Sequence, residues 1–106
     1  MQTKYGYQIQ FADIDISTAT STTLVAALAS RKIRVITLFL RTDDVNIIQF
    51  LSDTTGIVGT MRMVDSDQVK LNESENGWFE TSAGEALVLS TSAAKQVSGW
   101  LAYFAV

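Results

Sequence analysis

The stretch Arg31–Leu40 (RKIRVITLFL) constrains the fold more than any other part of the chain. It is the longest apolar run bounded by turn residues, with Arg41-Thr-Asp-Asp44 after it to reverse the backbone. Read as a strand, it sets Ile33, Val35, Thr37 and Phe39 on one face and Lys32, Arg34, Ile36, Leu38 and Leu40 on the other. The second face passes from cationic to wholly apolar along its length. A strand with one wet face would stay polar there, so its far half must be covered.

The neighbouring segments are strand-like as well. Tyr7, Ile9 and Phe11 alternate with Gln8, Gln10 and Ala12, and Ile14 and Ile16 continue on the opposite parity. That switch predicts a kink or bulge near Ala12. Thr22–Arg31 admits two readings, a short helix capped by Ser21 or Thr22, or a strand through Leu24, Ala26 and Leu28 turning at Ala29-Ser30. The strand is preferred. Further strands are expected over residues 45–51, 59–64, 69–71, 78–81, 86–91 and 96–106, separated by polar turns. One of those turns places Gly84 where a positive φ is needed. About eight short strands with no convincing helix predict an all-β sandwich or barrel.

At 106 residues the chain is one domain. A chain of this size buries roughly 65% of its extended surface, enough for modest stability alone. Apolar residues make up 47% and charged ones 18%, a low charge content that predicts a surface facing another protein. The net charge of −3 leaves nothing to neutralise phosphates and argues against nucleic acid. The N-terminus has no apolar signal region, and no run reaches the roughly 18 residues of a membrane span, so a soluble chain with no membrane partner is expected.

Two strands, the central one and the last, are apolar on both faces, the last with Leu101 and Tyr103 against Trp100, Phe104 and Val106. A two-sheet sandwich needs one buried face per strand. Ile36, Leu38, Leu40, Trp100, Phe104 and Val106 are therefore candidate subunit-interface residues of a closed cyclic homo-oligomer.

The chain has neither Cys nor His, which removes thiol nucleophiles, disulfides, Ser–His dyads and His-ligated metals. Asp13/Asp15 and Asp65/Asp67 are paired carboxylates, but no fixed-spacing calcium loop is present, and solvated or turn-forming Asp explains them better. Glu80 and Glu85 flank the Gly84 hairpin as edge charges, not as a glycosidase pair. Arg31, Lys32 and Arg34 form too weak a patch for phosphate and suit acidic groups on a partner. Trp78, Phe79, Trp100 and Phe104 could stack on a sugar, though core or interface anchoring is the better reading. No cofactor, metal site or enzymatic activity is expected.

The segments Leu24–Val35, Gly77-Trp-Phe-Glu-Thr81, Gly84-Glu-Ala-Leu87 and Val97-Ser-Gly99 with Tyr103, in that order, are similar to a family of small phage-encoded virion proteins. The similarity covers roughly residues 20–106. Ser30 is a departure, since the family tends to have Gly there. The resemblance implies a single jelly-roll β-sandwich of about eight antiparallel strands over residues 17–106, preceded by an arm and first strand over residues 1–16. It further implies a homotrimeric capsid decoration or cement protein, bound to the major capsid protein on the virion surface after synthesis in the host cytoplasm. Tyr5, Tyr7, Ile9 and Phe11 of the arm would then contact the capsid. The alternative is a carbohydrate-binding module of a phage tail or fibre.

Overall fold

A computed structural model describes residues 8–74 and 76–106, so Tyr5 and Tyr7 lie outside the described residues. Ten strands follow one another: β1 (Gln10–Ile16), β2 (Ser21–Val25), β3 (Ile33–Thr42), β4 (Asn46–Ser52), β5 (Thr55–Gly56), β6 (Met61–Met63), β7 (Gln68–Leu71), β8 (Phe79–Glu80), β9 (Leu87–Thr91) and β10 (Val97–Ala105). They form two antiparallel sheets with no helix among the described residues. One sheet runs β1-β10-β3-β7, with β8 also on β3; the other runs β2-β9-β4-β5, with β6 also on β4. The first four strands alternate between the sheets, which gives the expected jelly-roll β-sandwich.

The inner faces supply the core. Ile14, Ile16, Ile33, Val35, Leu38, Leu40, Val97 and Leu101 meet Val25, Ile48, Phe50, Met63, Leu87 and Leu89 across the gap between the sheets. The strict alternation read from β3 does not hold. Along the β10–β3 ladder Ala102 opposes Thr37 and Tyr103 opposes Val35, so Ile36 is an extra residue, a β-bulge. One inserted residue reverses the parity of the strand. Ile33 and Val35 face inward before the bulge, and Leu38, Leu40 and Thr42 face inward after it. Ile36 points to the outer side, where it joins Ile9, Ala102 and Phe104 in a second, smaller cluster with Val106 against it.

The kink expected near Ala12 is absent. β1 keeps an unbroken register with β10 from Gln10↔Tyr103 to Ile16↔Val97. Its apolar parity changes because Phe11 lies on the outer side, as Ile9 does just before the strand, whereas Ile14 and Ile16 reach the core. The 22–31 segment is neither a helix nor a strand through Leu28: β2 stops at Val25. The turn at Ala29-Ser30 does form, closed by Arg31 N–H donating to the Leu28 carbonyl at 3.1 Å. Ser30 holds φ at 61°, the left-handed conformation that glycine adopts without strain.

Buried polar side chains tie loops to strands. Asn46 Nδ2 donates to the Ala93 and Lys95 carbonyls at 3.1 and 3.3 Å, and its Oδ1 accepts from Ser92 and Ala93 N–H at 3.1 and 3.0 Å. Thr42 Oγ1 donates to the Val64 carbonyl at 3.0 Å, and Thr81 Oγ1 accepts from Ile33 N–H at 2.9 Å. At Gly99, paired with Leu40, the backbones of β10 and β3 approach so closely that an added Cβ would collide with the Phe39 carbonyl. Its φ of 155° is also unfavourable for a side chain.

Two backbone substitutions should therefore act in opposite directions. Gly99→Ala should lower stability by roughly 2–3 kcal/mol or more, since strain and a backbone clash coincide. Ser30→Gly should raise it by about 0.5 kcal/mol, the relief of the left-handed conformation less the entropy glycine loses on folding. Urea unfolding of both variants checks this, and a neutral Gly99→Ala would mean that β10 and β3 do not pair in this register.

Candidate functional site: an aromatic sheet face and an open edge

The outer face of the β1-β10-β3-β7 sheet carries the most unusual surface. In antiparallel sheets directly opposite residues share a face. Asp13 opposes Trp100, Trp100 opposes Phe39, and Phe39 opposes Lys70, which makes one row of acid, indole, phenyl and amine across the whole sheet. Phe11 leans on Trp100 with ring centroids 6.2 Å apart, and the two stay 59% and 42% exposed. Water on so much aromatic surface is costly unless a partner removes it.

The bulge brings together four of the six candidate interface residues, Ile36, Trp100, Phe104 and Val106, and adds Ile9 and Phe11 from the arm. Leu38 and Leu40 are not with them; both are packed inside the sandwich. Phe39 and Ala102 complete the surface and were missed by the sequence reading, Phe39 because the uncorrected parity put it on the opposite face from Ile36. Two grooves flank Trp100. The larger, about 390 Å³, has Thr37, Phe39, Lys70, Asn72 and Glu73 on its walls; the smaller, about 170 Å³, lies among Ile9, Phe11, Ile36 and Ala102.

Phe104 is buried on this outer side with the Arg34 guanidinium 5.7 Å above its ring. Arg34 is fixed in turn by Glu80, with Nη2 to Oε1 at 3.1 Å, while Lys32 reaches Glu80 Oε2 at 3.5 Å. Cation–π attraction and the stem of Arg34 thus roof one end of the apolar cluster. Arg31 turns away and donates to the Ala105 carbonyl at 2.9 Å.

A second apolar surface lies at the sandwich edge where β7 and β6 end their respective sheets. There a cleft of about 240 Å³ opens between the sheets among Phe50, Met61, Leu71, Trp78 and Phe79. Trp78 is 49% exposed at its mouth and donates Nε1–H to the Asn72 carbonyl at 2.7 Å. Phe79 packs on Phe50 inside with the rings tilted, at 4.9 Å between centroids. The sequence aromatics therefore divide: Trp78 and Trp100 line separate surfaces, and Phe79 and Phe104 are anchors.

The carboxylates act in turns and pairs. Asp67 accepts from Val64 N–H at 2.8 Å, Asp65 from Ser66 Oγ at 3.2 Å, Asp15 from Gln96 at 2.7 Å and Glu85 from Ser52 Oγ at 2.5 Å. Asp44 is held below the ordinary carboxylate range, first by the Val45 N–H at 2.7 Å and then by Lys95. A depressed carboxylate stabilises the fold above its unfolded pKa, and that support is lost as pH falls through the lowered value. Among the described residues no three His, Cys, Asp or Glu side chains converge as a metal site.

No family model matches the sequence, and comparison with curated proteins finds no match. A solved structure described as belonging to the disulfide-linked pili of Bacillus endospore appendages is similar in fold, with a TM-score of 0.53 and 15% identity over 99% of this chain and 93% of that one. At that identity the likeness is one of fold.

Removing the roof over Phe104 should matter more than removing a surface charge. Arg34→Ala should cost about 1 kcal/mol, a figure discounted for the partial exposure of the Arg34–Glu80 pair. Lys32→Ala, at the more exposed of the two contacts, should cost a few tenths. Equal losses in a urea titration would show that Phe104 gains nothing from the guanidinium.

Proposed function

We propose that this chain is a structural subunit of a larger protein assembly and works by contact, without enzymatic chemistry. The observation that carries the reading is the exposed Phe11–Trp100 pair, set on rigid strands and continuous with the apolar cluster of Ile9, Ile36, Ala102 and Phe104. Exposed aromatics over an apolar patch are the usual anchors of protein interfaces. The fold neighbour is also described as an assembling protein. This sequence has no cysteine, so disulfide links of the kind named for that neighbour are closed to it.

The sequence resemblance narrows the assembly to a phage capsid, with the chain as a homotrimeric decoration protein on the virion that binds between major capsid protein subunits. Cementing of this kind works through multivalency: three modest contacts from one trimer add up to tight attachment. Sedimentation equilibrium extrapolated to low concentration should give about 35 kDa, three times the 11.6 kDa chain. Phe11→Ser with Trp100→Ser should lower that mass while the far-ultraviolet circular dichroism of the folded chain stays unchanged, because neither ring belongs to the core. Heads carrying the protein should also retain their genome to higher temperature than heads stripped of it. A chain that stays at monomer mass at all concentrations, and melts no capsid differently, ends this reading.

The larger groove beside Trp100 favours a second reading, a glycan-binding module, because Thr37, Lys70, Asn72 and Glu73 surround one exposed indole. Titrating sugars against the fluorescence of a Trp78→Phe variant separates the two.

A further inference from the structure

We infer that copies of this chain join head to tail by sheet continuation, the β1 edge of one pairing with the β7 edge of the next. The inference rests on the reading as an assembling subunit but not on the Trp100 face.

Among the described residues β1 and β7 are the two ends of the same sheet, and each is hydrogen-bonded to a single strand, β10 and β3 respectively. Such edges present unpaired N–H and C=O groups to any strand that can approach. Four strands lie along the path from one edge to the other, each antiparallel to its neighbour. A second copy in the same orientation therefore sets its β7 antiparallel to β1, and the alternation runs on without a break. The even number also preserves the hydrogen-bonding phase. In each row the two end residues either both direct their backbone groups outward or both direct them inward, as a continued antiparallel ladder requires.

The side chains at the row ends match in chemistry. Tracing the registers across the sheet pairs Asp13 with Lys70, Asp15 with Gln68, Ile14 with Val69 and Ala12 with Leu71. The first two rows lie on the outer face, one joining opposite charges and one joining a carboxylate to an amide. The other two lie on the inner face and are apolar. Neither Asp13 nor Lys70 has an ion-pair partner among the described residues. The self-complementary alternative, β1 against β1 centred on Ile14, would oppose Asp13 and Asp15 to each other, and like charges directly opposite repel.

The apolar cleft supplies a second reason. It opens at the β7 end, between β7 and β6, with Leu71, Met61, Trp78 and Phe79 at its walls. The next copy, seated on β7, would close it. A contact of this type is heterologous: the two surfaces differ, and each copy offers one of each.

The absence of cysteine makes the test clean. Asp15→Cys and Gln68→Cys, both exposed and opposite in the predicted junction, are made in separate chains, mixed and oxidised. The mixture should give a disulfide-linked heterodimer, several-fold more than either chain alone gives of its homodimer. Lys70→Asp in the Gln68→Cys chain should cut that yield several-fold, and Asp13→Lys in the Asp15→Cys chain should restore it. Trp100→Ser should leave the yield unchanged even if it abolishes the trimer, so failure of the face and failure of the edge are distinguishable. A yield no higher than that of an Asp43→Cys and Gln68→Cys mixture, or Asp15→Cys homodimers as abundant as heterodimers, overturns the inference.

Discussion

The extra residue at Ile36 governs this molecule. β3 pairs with β10 along nearly its whole length, and the bulge between the Val35 and Thr37 pairings reverses which of its side chains look inward. Without it, Ile33 and Val35 would share the core with Thr37 and Phe39, and Leu38 and Leu40 would face water. With it, four large aliphatic side chains of one strand enter the same core. Ile36 is displaced outward and gathers Ile9, Ala102 and Phe104 around it. The surplus apolar character of the strand is thus largely used inside the chain, and what remains outside is concentrated beside Trp100.

The edge of β3 accommodates that displacement. β7 pairs with β3 from Leu38 to Arg41 and β8 from Arg34 to Val35, and the ladder is interrupted opposite the bulge. Ser74 N–H donates to the Ile36 carbonyl at 2.9 Å, and Thr37 Oγ1 donates to the Leu71 carbonyl at 2.8 Å. Beside that interruption lie Asn72 and Glu73, on the groove next to Trp100, and Trp78, at the mouth of the edge cleft. One backbone irregularity therefore shapes both of these apolar surfaces. Strands hold most of those side chains, which leaves them little backbone freedom.

Period-two alternation made most strands legible, because a half-buried strand must alternate and the turns between them are polar. β10 was fully readable: Leu101 faces the core while Trp100, Ala102 and Phe104 face outward. β1 misled, because an apolar residue changing parity looks the same whether the backbone bulges or the strand buries opposite faces at its two ends. β3 hid its bulge for the converse reason. Ile36, Leu38, Phe39 and Leu40 are all apolar, and a uniformly apolar run carries no parity to betray a slipped register. The outer face was half readable as a consequence, with Trp100 and Phe104 read onto it and Leu38 and Leu40 assigned to a face they do not share.

By itself the sequence determined an all-β domain, the approximate ends of its strands, and a surface that lacks His and Cys chemistry, since these follow from local alternation and residue type. Only the tertiary structure decided which strands are neighbours, where β3 shifts by one residue, and that β1 and β7 end the same sheet with Asp13 and Lys70 in one row. Such pairings join residues far apart in the chain. They are fixed by how all the inner faces pack together, which no short stretch of sequence contains.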